Sequence, residues 1–435
     1  MSWPVVVVTG SNAGVGFGIC QRLLFQLSLS NPPDSWPQSW ATPAADSKGS
    51  EDALRADGLT LIMACRSIPK AEEARKELYR ELDAYIAQLH ARPDYDGHAD
   101  VFRRNLKIEV EHLDLAVLSS VFDLSARLSK KYSYISHLIF NAGVAPFAHI
   151  DWLRCFKQIG RNFLDGITRP QFYVQSTGEV TADGLGWVWQ SNMFGHYVLF
   201  RAIEPLLKNS AYHADSRVIW SSSLEATPKF YDKADWQLAK SDRSYECVKY
   251  QIDLIATTLD QCALRDASTK RVRHFVSHPG VTSTKISTNL VEFGGFLDTI
   301  KVLVFYVARV LFGSRHHPIS TANGSIAAVH LALVSLTYIT FFNPPSKTGA
   351  NGSAKTGANG DAQTGTNGSA KVHASDSPGP FRFGSETTRW GRPEVGLTPV
   401  IKWTEYEDEG KVLLKRCDKI FQEFSEKQRV STIES

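Results

Sequence analysis

Tyr245 and Lys249 are the two side chains in this sequence whose types and spacing best suit chemistry. They stand four positions apart in a predicted helix over 245–264, so they share one helix face. A free phenol has a pKa of about 10, which is too high for rapid proton exchange near neutral pH. A neighbouring ammonium group favours the phenolate, so we expect Lys249 to lower the pKa of Tyr245 and make it a usable acid or base. An exposed helical pair is the alternative interpretation.

A second candidate site follows the first predicted strand, over 3–8, where the run TGSNAGVG leads into a helix that ends at about Leu27. Glycines let the backbone turn tightly and approach a pyrophosphate, which binds at the positive N-terminus of the helix. A plain glycine-containing turn is the alternative, but the position directly after a buried strand favours a dinucleotide site. The predicted cofactor contacts in this run are Thr9, Gly10, Ser11, Asn12, Gly14, Val15 and Gly16.

Strands and helices alternate along most of the chain. Strands are predicted at 3–8, 59–64, 107–113, 135–140, 217–221 and 273–277, with helical segments between them. This alternation predicts an α/β fold with a doubly wound parallel sheet and a C-terminal helix over about 404–428.

The domain organisation follows from changes in composition. We expect a catalytic domain over 1–345, with a surface insertion at about 28–58, and the end of the same fold over 379–435. Between them, 346–378 contains three copies of an eight-residue Gly/Asn/Thr/Ala unit. Such a repeat buries too little apolar surface to offset its ordering entropy, so we predict that it is disordered.

Composition excludes several classes of function. The chain of 435 residues has 48 Lys and Arg against 45 Asp and Glu, a net charge of +3. Because neutralising many phosphates needs a clustered basic excess, nucleic acid is not an expected partner. The six cysteines are scattered without a CxxC, and the histidines lack a ligand spacing, so neither a disulfide framework nor a metal site is predicted. The N-terminal apolar run is too short for a signal peptide, which places the catalytic part on the cytosolic side.

The glycine spacing TGxxxGxG, together with YxxxK after the fifth strand, resembles the short-chain dehydrogenase/reductase family. The resemblance implies a Rossmann-like fold and hydride transfer between a nicotinamide cofactor and a carbonyl. It implies that Ser223 stabilises the substrate oxygen. Ser222 is the alternative, because the serines lie farther from Tyr245 than the family usually has them. It also implies that Asn192 completes the catalytic set by binding a water that leads to Lys249.

Further segments match the family's cofactor-binding positions. Cys65 stands where an acidic residue would bind the ribose hydroxyl of NAD, and Arg66 follows it, which favours the 2′-phosphate of NADPH. A solvated surface arginine is the alternative. By the resemblance, the other contacts are Asp114 near adenine, Asn141, Ala142 and Gly143 beside the cofactor, and Pro279, Gly280 and Thr282 over the nicotinamide.

Two apolar segments bear on the substrate and on membranes. In the expected lid over 291–318, the uncharged run 302–308 lies between Lys301 and Arg309. It predicts either a helix in the membrane interface or a helix that covers the pocket. The 18 uncharged residues of 325–342 are at the edge of spanning length, and we favour a buried helix at their start.

Three longer sequence segments are similar to those of one group in that family, the fungal 3-ketosteroid reductases of sterol C4-demethylation. They are VIWSSSLEATPKFYD over 218–232, HPGVTST over 278–284 and FGSETTRWGRPEV over 383–395. This resemblance implies NADPH-dependent reduction of a 3-keto sterol to the 3β-alcohol, beside the other C4-demethylation enzymes. The implied location is the cytosolic face of the endoplasmic reticulum membrane, or lipid droplets. A reductase of retinal or lipid ketones and a non-catalytic scaffold are the alternatives.

Overall fold

The computed structural model describes residues 3–41, 56–209, 214–266, 270–283, 294–339 and 379–434. The strands in these residues are β1 Val5–Thr9, β2 Leu59–Cys65, β3 Leu106–His112, β4 His137–Phe140, β5 Phe147–Ile150, β6 Tyr173–Gln175, β7 Ser216–Ser221, β8 Val272–His278, β9 Phe381–Thr387 and β10 Pro393–Pro399. The helices are α1 Gly14–Leu27, α2 Ile68–His90, α3 His98–Arg104, α4 Leu118–Lys131, α5 Trp152–Arg161, α6 Phe163–Thr168, α7 Trp187–Trp189, α8 Gly195–Lys208, α9 Ser244–Arg265, α10 Gly294–Val310, α11 Thr321–Gly324, α12 Ile326–Leu333 and α13 Trp403–Glu434.

Eight of these strands form one sheet in the order β10-β9-β8-β7-β4-β1-β2-β3. All neighbouring pairs from β3 to β9 are parallel, and β10 alone in this sheet runs antiparallel to its neighbour. The predicted doubly wound sheet is therefore confirmed, with one reversed strand at its edge. The strand order changes direction between β1 and β4, the point at which open α/β sheets bind ligands beyond the carboxyl ends of their strands.

Two apolar cores cover the two faces of the sheet. One contains side chains of α1, α2 and α12, and the other contains side chains of α4, α8, α9 and α13. Because both faces are covered, the central strands are buried on both sides, and all residues of β1 and β8 are buried. All eight residues of α12 are buried as well, which agrees with the buried helix expected at the start of 325–342. Residues 340–342 lie outside the described part of the chain.

The edge strand β10 is covered by the loop that follows α1. The indole nitrogen of Trp40 donates a hydrogen bond to the carbonyl of Val395 at 2.7 Å. The side-chain oxygen of Gln38 accepts a hydrogen bond from the Val395 N–H at 3.2 Å. The described part of the expected 28–58 insertion is thus packed against the sheet edge, whereas residues 42–55 and the repeat segment 346–378 lie outside the described residues.

The last helix, α13, covers the outer side of α9. The two helices approach closely, since a Cβ atom placed on Gly410 would lie 2.5 Å from the hydroxyl of Thr258. The Tyr250 hydroxyl of α9 donates to the carbonyl of Ile401 at 2.9 Å, just before α13 begins. As a result, most of α9 is buried, including Lys249 and the turns that follow it.

Candidate active site

A cleft of about 1070 Å³ opens at the carboxyl ends of the parallel strands. Its walls come from the turns after β1, β2, β3, β4, β7 and β8, from the first turn of α9, and from α10. This volume is at the upper end of the range for ligand pockets, and the lining is mostly apolar with a few converging polar groups. The glycine-rich turn, which ends at Gly16, and the Tyr245–Lys249 pair are at least 229 positions apart in sequence, yet they share one cleft.

The glycine-rich turn is shaped to admit a phosphate group. Gly10 has φ +65°, and a Cβ atom there would lie 2.9 Å from the Cα of Ala142, so a larger residue does not fit. The amide nitrogen of Asn141 donates to the carbonyls of Thr9 and Gly10 at 3.2 and 3.3 Å, which holds the turn against the end of β4. Among the described residues no side chain caps α1 at Ala13, so its first N–H groups can bind an anion.

Three predicted cofactor contacts lie behind this turn and do not line the cleft. The Thr9 hydroxyl oxygen accepts hydrogen bonds from the N–H groups of Asn141 and Ala142 at 3.0 and 3.1 Å. The Ser11 hydroxyl lies 3.3 Å from the sulfur of Cys65, and a Cβ atom on Gly16 would lie 2.3 Å from the carbonyl oxygen of Gly10. These residues shape the turn. The other predicted contacts line the cleft, namely Gly10, Asn12, Gly14, Val15, Arg66, Asp114, Asn141, Ala142, Gly143, Pro279, Gly280 and Thr282.

Cys65 and Arg66 point in different directions at the end of β2. Cys65 is 1% exposed, and burial raises the pKa of its thiol. Arg66 is exposed on the cleft. A guanidinium in this position can bind the 2′-phosphate of NADPH. Neither Cys65 nor Arg66 carries a carboxylate, the group that would instead bind the free ribose hydroxyl of NAD.

The Tyr245–Lys249 pair is held from both sides. The ammonium group of Lys249 donates to the carbonyl of Ser221 at 2.8 Å, at the end of β7. Its nitrogen lies 5.8 Å from the centre of the Tyr245 ring. The N–H of Tyr245 donates to the side-chain oxygen of Gln175 in β6 at 3.0 Å. Strand β6, which the sequence did not indicate, therefore holds the first turn of α9.

The two serines after β7 face different surroundings. The Ser222 hydroxyl is 3% exposed and donates to the carbonyl of Lys249 at 3.2 Å. The Ser223 hydroxyl oxygen accepts the N–H of Glu225 at 3.1 Å, and its hydrogen bond to Tyr245 lowers the pKa of the phenol. The Ser223 proton is therefore directed at the Tyr245 oxygen, and both side chains line the cleft.

Asn192 lies in a π-helical turn between α7 and α8. Its side chain binds the backbone of Val144, accepting the N–H at 3.0 Å and donating to the carbonyl at 3.0 Å. A Cβ atom on Gly143 would lie 2.5 Å from the Asn192 side-chain oxygen, so the glycine of the NAG run makes this contact sterically feasible. Asn192 thus positions the chain after β4, and its expected water link to Lys249 stays a prediction.

Burial has the largest effect on the pKa values of Lys249 and Tyr245 in the cleft. It lowers the pKa of Lys249 to about 8, an effect that the Asp253 and Glu225 carboxylates oppose. It also raises the pKa of Tyr245, and the charge of Glu225 raises it further. The expectation that the net effect would lower the phenol pKa was therefore wrong for the protein alone, because desolvation exceeds the hydrogen bond from Ser223. Tyr245 is a protonated phenol at neutral pH.

A buried ion pair that the sequence did not reveal supports the serine loop. Arg382 of β9 donates to the carbonyl of Ser223 at 3.1 Å and to a carboxylate oxygen of Asp253 at 3.4 Å. The two charged side chains are only 2% and 1% exposed. Asp253 continues the four-residue spacing of Tyr245 and Lys249, so that spacing is a signal that could have predicted it.

Glu225 is a further titratable group in the cleft. Burial and, to a smaller degree, the Glu246 carboxylate raise its pKa to about 8, while Arg243 and Lys249 act in the opposite direction. Between about pH 5 and pH 8 the folded chain keeps a proton that the unfolded chain has lost, so the free energy of unfolding falls as the pH rises.

We expect Glu225→Gln to be more stable than the unsubstituted chain at about pH 8, by at least about 1 kcal/mol, because a neutral amide has no charge to desolvate. The difference should shrink towards pH 5, and urea unfolding at each pH measures it. The same exchange at the exposed Glu179 is the matched control. A stability difference for Glu225→Gln that does not change with pH would contradict this assignment.

The parallel sheet and the glycine turn at its carboxyl edge are arranged as in the short-chain dehydrogenases and reductases, and we assign the fold to that class. No protein-family model matches the chain. It is 30% identical over 336 residues to a 3-keto-steroid reductase of Debaryomyces hansenii, covering 76% of this chain and 80% of the relative. It is also 30% identical over 380 residues to a 3-keto-steroid reductase of Aspergillus fumigatus, covering 80% and 76%. The chain belongs to the 3-keto-steroid reductase family.

Among solved structures, L-sorbose reductase from Gluconobacter frateurii in complex with NADPH and L-sorbose is similar, with a TM-score of 0.47 and 13% identity. The match covers 78% of this chain and 92% of the L-sorbose reductase chain.

Proposed function

We propose that this protein reduces a 3-keto sterol to the 3β-hydroxy sterol with NADPH, in sterol C4-demethylation. The observation that carries the proposal is the meeting of Ser223, Tyr245 and Lys249 with a phosphate-binding glycine turn in one cleft. The names of the relatives in its family support the choice of a steroid ketone as substrate.

The catalytic side chains each have a part in the proposed reaction. The reduced nicotinamide supplies, when bound, the hydride that adds to the carbonyl carbon. The Ser223 hydroxyl donates a hydrogen bond to the carbonyl oxygen, where negative charge develops. Tyr245 gives that oxygen its proton, which completes the alcohol. Lys249, with its pKa lowered to about 8, is suited to return a proton to Tyr245 near neutral pH.

Arg66 supports NADPH as the cofactor. Its guanidinium is exposed at the end of β2, on the side of the cleft that also contains Asp114. The free N–H groups at the start of α1 suit the pyrophosphate of the same molecule. We therefore expect faster turnover with NADPH than with NADH, and a smaller preference in Arg66→Asp.

The far end of the cleft suits an apolar ring system. Phe147, Trp152, Phe172 and Tyr173 line it together with side chains of α10. Among the described residues no helix combines the length and apolar character that a bilayer span needs. We propose contact with the cytosolic face of the endoplasmic reticulum membrane, or with lipid droplets, beside the other C4-demethylation enzymes. The pairing of β9 with β8 supports one catalytic unit made of 1–345 and 379–435, with 346–378 inserted.

A substrate panel tests this function. The purified full chain in detergent is mixed with NADPH and a 3-keto sterol, retinal or a simple lipid ketone, and the products are identified. We expect the 3β-hydroxy sterol as the fastest product. Faster reduction of retinal or of the lipid ketone would overturn the substrate class, and NADPH binding without turnover of any ketone would favour a scaffold.

The two serines provide a matched pair of variants. Ser223→Ala is expected to lower kcat by ~10²-fold, because the developing oxyanion loses its hydrogen-bond donor. Ser222→Ala removes a buried hydrogen bond to the Lys249 carbonyl and is expected to cost about 1 kcal/mol of stability with a small effect on kcat. Steady-state kinetics and urea unfolding of both variants measure these effects, and the reverse order of kcat losses would assign the role to Ser222.

A further inference from the structure

Helix α5 lies on the surface with large apolar side chains turned to solvent. Among its ten residues only Cys155 is buried. Trp152, Leu153 and Phe156 are 55%, 65% and 69% exposed. Water-soluble surfaces rarely leave such a contiguous apolar set uncovered, so this face is expected to have a partner.

Helix α10 and the turn after it continue the same apolar surface. Ile300, Leu303, Tyr306, Leu311 and Phe312 are between 40% and 70% exposed. The ring of Phe312 packs against Phe163 of α6, with ring centres 5.0 Å apart, which joins this segment to the α5–α6 side. Trp152 and Ile300 also line the cleft, so the apolar surface borders the opening of the substrate site.

The turn between β9 and β10 adds a tryptophan beside the end of α10. Trp390 is 84% exposed. A Cβ atom on Gly391 would lie 3.4 Å from the guanidinium of Arg309, and one on Gly313 would lie 3.1 Å from that of Arg389, so the turn touches the end of α10. We call the exposed apolar side chains of α5, of 300–312 and of Trp390 the apolar rim.

The polar groups interleaved with the apolar rim are mainly basic. On α5 they are Arg154, Lys157 and Arg161, and on the β9–β10 turn they are Arg389 and Arg392, all exposed. Of the acidic groups beside α5, Asp151 is paired with Arg154 at 3.1 Å. Exposed tryptophan and apolar side chains flanked by Arg and Lys are the composition that lies in a membrane interface, and the basic groups attract anionic lipids.

We propose that the apolar rim docks this protein on an anionic phospholipid bilayer, with the cleft opening into the acyl region. The proposal rests on the proposed function, because a sterol ketone dissolved in the bilayer would then enter the cleft without crossing water. It adds α5 and the Trp390 turn to the lid segment that the sequence indicated. Charge favours lipid over a second copy of this chain, since two copies of a basic rim repel each other.

Vesicle binding of the full chain tests the docking surface. Wild type is sedimented with phosphatidylcholine vesicles that contain or lack phosphatidylserine. The variants are Trp390→Ser, the pair Leu153→Ser with Phe156→Ser, and the pair Arg389→Gln with Arg392→Gln. Trp36→Ser is the matched control, because Trp36 is 54% exposed but belongs to none of the three segments.

We expect each rim variant to bind phosphatidylserine vesicles about tenfold more weakly, or worse, with the arginine pair losing most of its dependence on phosphatidylserine. Trp36→Ser should bind like wild type. Reduction of detergent-dispersed substrate should be unchanged in the rim variants, since these side chains lie outside the cleft lining. Absence of that reduction in wild type would instead refute the proposed function, whatever the vesicles show.

Two results would overturn the docking surface. One is vesicle binding of the rim variants equal to that of wild type. The other is a change of oligomeric state in the rim variants, seen by light scattering, with vesicle binding absent from wild type; that result would assign the apolar rim to contact between copies of the chain.

Discussion

Tyr245→Phe is expected to lower kcat by ~10²–10⁴-fold, because the variant keeps the ring and loses the proton that the carbonyl oxygen must receive. NADPH binding should be retained, since the phosphate-binding turn and Lys249 are unchanged. Steady-state kinetics with the 3-keto sterol and a fluorescence titration with NADPH measure the two effects separately. Full turnover in Tyr245→Phe would place the acid elsewhere.

Tyr250→Phe is the matched control on the same helix. Its hydroxyl is bonded to the Ile401 carbonyl and faces α13, away from the cleft. Loss of that hydrogen bond is expected to cost about 1 kcal/mol of unfolding free energy and to leave kcat nearly unchanged. A similar loss of kcat in both variants would mean that the Tyr245 effect is structural.

Arg382→Met is the second substitution with a large expected effect. It leaves the Asp253 carboxylate buried without its guanidinium, which is expected to lower the free energy of unfolding by about 3–5 kcal/mol. It also releases the Ser223 carbonyl. Because a displacement of about 1 Å in a reacting group can lower the rate ~10²-fold, we expect a lower kcat with a smaller change in KM.

Arg273→Met is the control that separates the loss of stability from the loss of the hydrogen bond to Ser223. Arg273 of β8 binds Asp260 of α9 through two hydrogen bonds at 2.7 and 2.9 Å, and this pair is as deeply buried as the first. It has the same chemistry but no bond to Ser223. We expect a comparable loss of stability with kcat preserved, both measured well below the unfolding transition. Equal kcat losses in the two variants would show that Arg382 contributes to stability and does not position Ser223.

The parts of the fold that the sequence could predict are those set by local patterns. Apolar runs predicted six strands of the sheet, β1, β2, β3, β4, β7 and β8, to within two residues at each end. The turn residues after those strands predicted the cleft, because parallel strands end at one edge of the sheet. Within the segment 144–186, no local pattern predicted the elements β5, β6, α5 and α6. Contacts of these short elements reach α9 and the turn after α10, both distant in sequence, so their own periodicity does not reveal them.

The charge states of the site residues and the side chains that hold the serine loop could not be predicted, because both depend on segments that are distant in sequence. The four-residue spacing gives the distance between Tyr245 and Lys249, but the pKa of each depends on burial by distant segments. Arg382 reaches Ser223 across 159 positions of sequence and has no local signal. The direction of β10 depends on its hairpin with β9, which the FGSETTRWGRPEV run did not indicate.

The hydrogen bonds of Val395 with the side chains of Trp40 and Gln38 join positions that are 355 and 357 residues apart. During synthesis the chain emerges from its N-terminus, so β1, the glycine turn and α1 leave the ribosome long before β9 and β10 exist. Until those two strands arrive, β8 has an unpaired edge and the loop after β7 lacks its guanidinium. Catalytic competence is therefore acquired late in translation, and a nascent chain stalled before residue 381 is expected to need a chaperone for its exposed sheet edge.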